Sequence, residues 1–175
     1  YFPWERLHPT KKKIYVSFGS QIYHQPLRFN RLIQALDDGM HQLILSVGPL
    51  LGSASLQELP QDAIAVSYTP QLALLPHVDL FVTHGGANSV MEALSVGVPI
   101  LIDPICNDQV HQAHFITQAG VGKVLLLEQV SPEEIRATLE YMLASKSLEE
   151  RVQEIQESYR VNGAEIAAQE IINKG

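Results

Sequence analysis

Short, almost uniformly apolar runs alternate with helical patterns along most of this chain, and few architectures accept that alternation. The apolar runs are residues 14–18, 43–47, 64–66, 80–83, 99–102 and 124–127. Between them, Pro26 opens a helical pattern through Leu27, Leu32, Ile33 and Leu36 that stops at Gly39. A short helix is predicted over 71–75, another over 89–95 closed by Gly97, and a third over 109–119 ended by Gly120. Strands without an apolar/polar alternation are buried on both faces, so the pattern predicts an α/β fold, a doubly wound parallel sheet under helices. From Ser131 onward the chain reads as wholly helical. Ser131-Pro132-Glu133-Glu134 combines a serine cap, a proline in the first turn and a glutamate three residues after the cap. At least two helices follow, with a break expected at Asn162-Gly163. Residues 1–12 read as a linker-like segment, aromatic and aperiodic, either free or docked on the surface. Residues 13–175 form the domain.

Composition narrows the partners. Apolar residues make up 46% of the 175, enough for a sizeable core, and the net charge is -7. No Lys/Arg-rich stripe accompanies it, so nucleic acid and anionic membrane are not expected as main partners. The one basic cluster, Lys11-Lys12-Lys13, reads as a solvated lead-in to the first strand. Cys106 is the single cysteine, which allows a reducing compartment, and a cytoplasmic setting is expected. The chain starts at Tyr1 with no signal-peptide pattern, so a piece of a longer protein is expected.

An open parallel sheet binds ligands at the carboxyl ends of its strands. The loops expected there are Gly19-Ser20, His84 to Asn88, and Asp103 to Gln109. His84-Gly85-Gly86-Ala87-Asn88-Ser89 leaves a strand and opens a helix. Its glycines admit a ligand close to the backbone, and the free amides of a helix start favour an anion, most naturally a phosphate. His84, Asn88 and Ser89 offer side-chain donors to it, while a loop histidine holding backbone in place is the plainer reading of His84. Glu92 has two readings. Ser89-Val90-Met91-Glu92 matches a capping box, and an acidic residue here also suits ribose hydroxyls. Asn107-Asp108-Gln109 reads as a helix N-cap. Tyr68 before Pro70 is either a core aromatic or a platform for a base. His111 and His114 share a helix face but lack the companions of a metal site, and there is no nucleophile elbow.

Taken in order, Val16-Ser17-Phe18-Gly19-Ser20, Tyr68-Thr69-Pro70-Gln71, Thr83 to Ser89, Glu92, Gly97-Val98-Pro99 and Asp108-Gln109 resemble the donor-binding signature of family 1 glycosyltransferases. That resemblance covers nearly the whole chain. It implies the C-terminal, Rossmann-like half of a GT-B fold, whose partner half binds the acceptor and holds the histidine base. It also implies roles. Tyr68 would stack on the nucleobase and Gln71 approach its edge. Ser20, His84, Gly86, Asn88 and Ser89 would hold the diphosphate, Glu92 the ribose, and Asp108 and Gln109 the donor sugar. UDP-glucose is the default donor, with dTDP-sugars and UDP-glucuronate open. No cofactor or metal is implied, and the acceptor domain is expected in cis or in trans. Plant members carry tryptophan at the positions of Tyr68 and Ala87 and cysteine at that of Gly85, so the Gly-Gly-Ala form is closer to bacterial and animal members. Three rivals share the architecture: a stand-alone subunit of a split transferase, a UDP-sugar 2-epimerase, and a non-catalytic nucleotide-sugar sensor.

Overall fold

A computed structural model gives the structure, describing residues 1–20, 24–106, 108–161 and 163–174. Its centre is a six-stranded sheet built from β1 (Lys13–Ser17), β2 (Gln42–Ser46), β3 (Ile64–Val66), β4 (Leu80–Thr83), β5 (Ile100–Ile102) and β6 (Gly122–Val124). The strands lie in the order β3-β2-β1-β4-β5-β6, and every neighbouring pair is parallel. Ile14, Tyr15, Val16, Leu80, Phe81, Val82 and the whole of β5 are buried. Helices on both faces are the reason these strands read as unbroken apolar runs.

The helices are α1 (Pro26–Ala35), α2 (Gln71–Leu74), α3 (Ala87–Ser95), α4 (Gln109–Ala119), α5 (Pro132–Ala144), α6 (Lys146–Ser158) and α7 (Gly163–Lys174). The right-handed crossover that parallel β–α–β units follow sets α1 on one face and α3 and α4 on the other. The packing agrees: α1 meets α5, while α3 meets α6 and α4. Phe29, Leu32, Ile33, Ala35 and Leu36 form the buried side of the first helical segment, and Leu27 faces outward. Ser131 caps α5 as the sequence predicts, its hydroxyl accepting from the Glu134 amide. A second break, unforeseen, falls at Ser145, which ends α5 and caps α6. The break expected at Asn162-Gly163 lies partly outside the described residues, since only Gly163, the first residue of α7, is described. No helix of the described residues is long and apolar enough to cross a membrane.

The last strand departs from the sequence expectation. Strand β6 is Gly122–Val124 rather than 124–127. The apolar run after Val124 leaves the sheet, Leu125 making one last bond to the Ile102 carbonyl at 3.0 Å and Leu127 dropping into the core. The N-terminal segment is docked. Phe2 is buried against Trp4, Trp4 meets His77 edge to face, and the Arg6 guanidinium donates to the Ala63 carbonyl at 2.8 Å. Gln42, fully buried, is the anchor. Its amide donates to the Arg6 and Asp62 carbonyls and accepts from the His8 amide, so each side-chain polar atom is satisfied. The basic cluster is partnered too: Lys11 pairs with Asp62 and Lys12 with Asp79, both at 2.7 Å.

Candidate functional site

In this strand order the chain reverses direction between β1 and β4, the place where open α/β sheets form a crevice. A trough of about 840 Å³ opens there. Gly19 and Ser20 line one side, and Asn88, Ser89 and Glu92 of α3 the other. Tyr68, Pro70 and Gln71 form a further wall, and Tyr15, Ser17, Ser46 and Thr69 add hydroxyls beneath. Ser20, Tyr68, Gln71, Asn88, Ser89 and Glu92 of the expected site residues thus lie around one trough, while His84, Gly86, Asp108 and Gln109 do not line it.

The start of α3 differs from the capping-box expectation. Strand β4 ends at Thr83, and Gly85 takes φ +88 with the Ile102 side chain where its β-carbon would stand. That turn starts the helix at Ala87 with Gly86 as N-cap, so Ser89 lies inside the first turn and no side chain caps the end. The amides of Ala87, Asn88 and Ser89 belong to that first turn and have no helical acceptor. Freed from capping, Glu92 points to α2, where its Oε2 accepts from the Gln71 amide at 2.7 Å.

His84 stands behind these loops. A β-carbon on Gly19 would lie 2.8 Å from its ring, and one on Gly86 2.7 Å, so the imidazole is wedged between two glycines. Gly19 also needs its positive φ of +79. Burial pushes the His84 pKa below its ordinary value, partly offset by a hydrogen bond to the Ser17 backbone and by the charge of Asp108. A neutral ring therefore prevails near neutral pH, one nitrogen donating and the other accepting. Its Nδ1 lies 3.2 Å from the Thr83 hydroxyl.

Asp108 and Gln109 lie apart from the trough's lining. Asp108 is exposed and occupies the N-cap position of α4 without a side-chain cap bond. Gln109 is buried and turned inward. Its Oε1 accepts from the amides of Ile105 and Cys106 at 2.8 and 2.9 Å, holding the loop before α4 in shape. Asn107 lies outside the described residues. His111 and His114 are exposed on α4, and no metal-binding group of His, Cys, Asp or Glu occurs among the described residues.

Two clusters escaped the sequence reading. Tyr15, Ser17, Ser46 and Thr69 bring polar atoms into the floor; for Ser17 and Ser46 the signal was a polar residue at the carboxyl end of an otherwise apolar strand, while Tyr15, mid-strand, gave none. Asp103, after β5, is buried and pairs with Arg28 of α1 at 2.8 Å, and Arg28 also reaches Glu128. Burial outweighs the guanidinium, so the Asp103 pKa is raised to about 6.

The family model described as "UDP-glucoronosyl and UDP-glucosyl transferase" matches residues 10–160. The chain belongs to this family. The uncharacterised UDP-glucosyltransferase YojK of Bacillus subtilis is 30% identical over 93% of the chain and 40% of its own length. The oleandomycin glycosyltransferase of Streptomyces antibioticus is also 30% identical, over 97% of the chain and 40% of its length. Among solved structures, the calicheamicin glycosyltransferase CalG4 superimposes with a TM-score of 0.86 at 29% identity, covering 97% of this chain and 45% of that one. The chain thus spans about 40% of the length of these curated glycosyltransferase relatives.

Proposed function

We propose that the trough binds the nucleoside diphosphate of a UDP-sugar, UDP-glucose by default, and that the chain is the donor half of an inverting glycosyltransferase acting on a small-molecule hydroxyl. The observation that carries this reading is the juxtaposition, across the β1/β4 crevice, of the Gly19-Ser20 turn and the first turn of α3. The first-turn amides of α3, with the Ser20, Asn88 and Ser89 side chains, suit a diphosphate. Tyr68, 77% exposed at the far wall, offers a ring face to the base, and Glu92 offers a carboxylate to the ribose.

In the reaction the acceptor oxygen forms its bond to the anomeric carbon as the bond from that carbon to the diphosphate oxygen breaks. UDP departs with the electron pair, and the acceptor's proton passes to a base in the acceptor-binding half. His84 and the α3 amides stabilise the charge gathering on the leaving diphosphate. Gln109 reaches the sugar only if the loop before α4 shifts on binding, because it now spends its carbonyl oxygen on that loop, whereas Asp108 is exposed at the start of α4. No metal is required in this scheme, since protein donors meet the diphosphate.

Calorimetric titration with UDP in EDTA tests the reading. Saturable binding at or below millimolar UDP is expected, and its absence there would remove the nucleotide from this site.

A further inference from the structure

Tyr15 occupies the middle of β1 with 1% exposure, yet its hydroxyl opens into the trough. The ring is fixed by the sheet: it stacks on Phe81 of β4, centroids 4.7 Å apart and planes 7° from parallel. The hydroxyl donates to Gln71 Oε1 at 3.1 Å and shares a hydrogen bond with the Thr69 hydroxyl. The opposite end of the same amide donates to Glu92 Oε2 at 2.7 Å and to the Ser89 hydroxyl at 3.2 Å. A continuous chain of hydrogen bonds thus runs from the rigid centre of the sheet through α2 to the carboxylate on α3.

We propose that Tyr15 is a positioning residue for the donor nucleotide: its hydroxyl fixes the direction of the Gln71 amide, which in turn holds the Glu92 carboxylate in the orientation that reads the ribose. This rests on the ribose role of Glu92 proposed above. A glutamine amide is nearly symmetric in shape, and only its partners decide which end is oxygen. Tyr15 supplies a donor to one end, so that end must be oxygen and the NH2 must face Glu92. Reversed, the amide oxygen would face the Glu92 carboxylate, two acceptors with no proton between them. Burial pushes the Tyr15 pKa above its ordinary value, which keeps the phenol a donor across the working pH range. One carboxylate oxygen is thereby held by Gln71, leaving Oε1 to meet a hydroxyl. Held this way, the carboxylate does not have to be ordered when the nucleotide arrives, which is the usual gain from preorganisation.

The test is Tyr15→Phe, which keeps the stack on Phe81 and deletes only the hydroxyl. Affinities for UDP and for 2′,3′-dideoxy-UDP are measured on the 175-residue chain. The wild type is expected to prefer UDP. In Tyr15→Phe, UDP weakens roughly three- to tenfold, as loss of one hydrogen bond implies, while the dideoxy nucleotide is unchanged, so the preference collapses toward one. A purely structural role would weaken both ligands together. Gln71→Met cuts the relay at its next link, and in that background Tyr15→Phe should add nothing. Should Tyr15→Phe fail to fold, Gln71→Met alone must show the same collapse. A wild type without preference sinks the ribose reading of Glu92 and this proposal with it. A wild-type preference that survives Tyr15→Phe, or survives Gln71→Met, overturns the proposal alone.

Discussion

Single residues here act through what confines them. His84 is held between Gly19 and Gly86, burial lowers its pKa, and the single N–H of the neutral ring is engaged by the Ser17 backbone, so the proposed bond to a diphosphate requires the ring to gain a second proton or to release Ser17. His84→Ala should weaken UDP by about tenfold, the lower end expected for a bond to a charged group, and leave uridine nearly untouched. Titration of both ligands checks this, and equal losses would make the ring structural. Asp103 gives a second prediction. Unfolded, its carboxyl ionises near the ordinary 3.8, and folded near about 6. Between those values the unfolded chain has released a proton that the folded chain still holds. Stability contributed by Asp103 therefore falls as pH rises through that window and levels off above it. The fall amounts to roughly 3 kcal/mol. Urea unfolding of wild type and Asp103→Asn between about pH 4 and about pH 6.5 should show a shallower decline in the variant. Parallel declines would place the titrating group elsewhere.

At the scale of elements, the sheet and its connections were largely legible and the turns were not. Strands β3 and β4 and helix α4 begin and end as predicted, because buried apolar runs and a glycine stop at Gly120 are local signals. The start of α3 was misread because Ser89 and Glu92 have capping-box spacing, while the decisive fact, the positive φ of Gly85 beneath Ile102, depends on a distant strand. The same holds for the floor of the trough, whose Tyr15–Gln71–Glu92 chain joins residues far apart in sequence. Strand β6 was displaced for a similar reason. Gly122 pairs with Ile100, and a β-carbon there would stand 2.1 Å from the Ile100 carbonyl oxygen and 2.7 Å from the Ile116 side chain. Gly122 is therefore the residue that lets β6 lie against β5. Gly122→Ala should cost about 3 kcal/mol or more, a fall in melting temperature of roughly 10 °C. Gly163→Ala, whose β-carbon meets nothing within 4 Å, should change it little. Thermal melts of the two variants decide, and similar melting would mean that β6 yields easily.

At the scale of the whole molecule, the trough is one wall of a site. On the proposed reading it meets the nucleotide on a single open face, and orientation of an acceptor against the anomeric carbon needs a second surface. The chain alone should bind UDP-glucose but transfer its sugar to no phenolic or aliphatic alcohol, beyond slow hydrolysis. Addition of an acceptor-binding half from the same protein should restore transfer. Product analysis with and without that half is the measurement, and robust glucosylation by the chain alone would overturn the division of labour.

The place of the crevice in the strand order also bears on how the protein folds. Strands β1, β2 and β3 follow one another in sequence and pair in that order, so each of those contacts closes a modest loop. The β1–β4 pairing must instead close the loop that contains both of the others, a costlier entropic step. No ligand of the trough finds its two walls together before that step. On the proposed reading a nucleotide therefore has nothing to grip in a half-formed chain: it should leave the rate of folding nearly unchanged and act as a brake on unfolding.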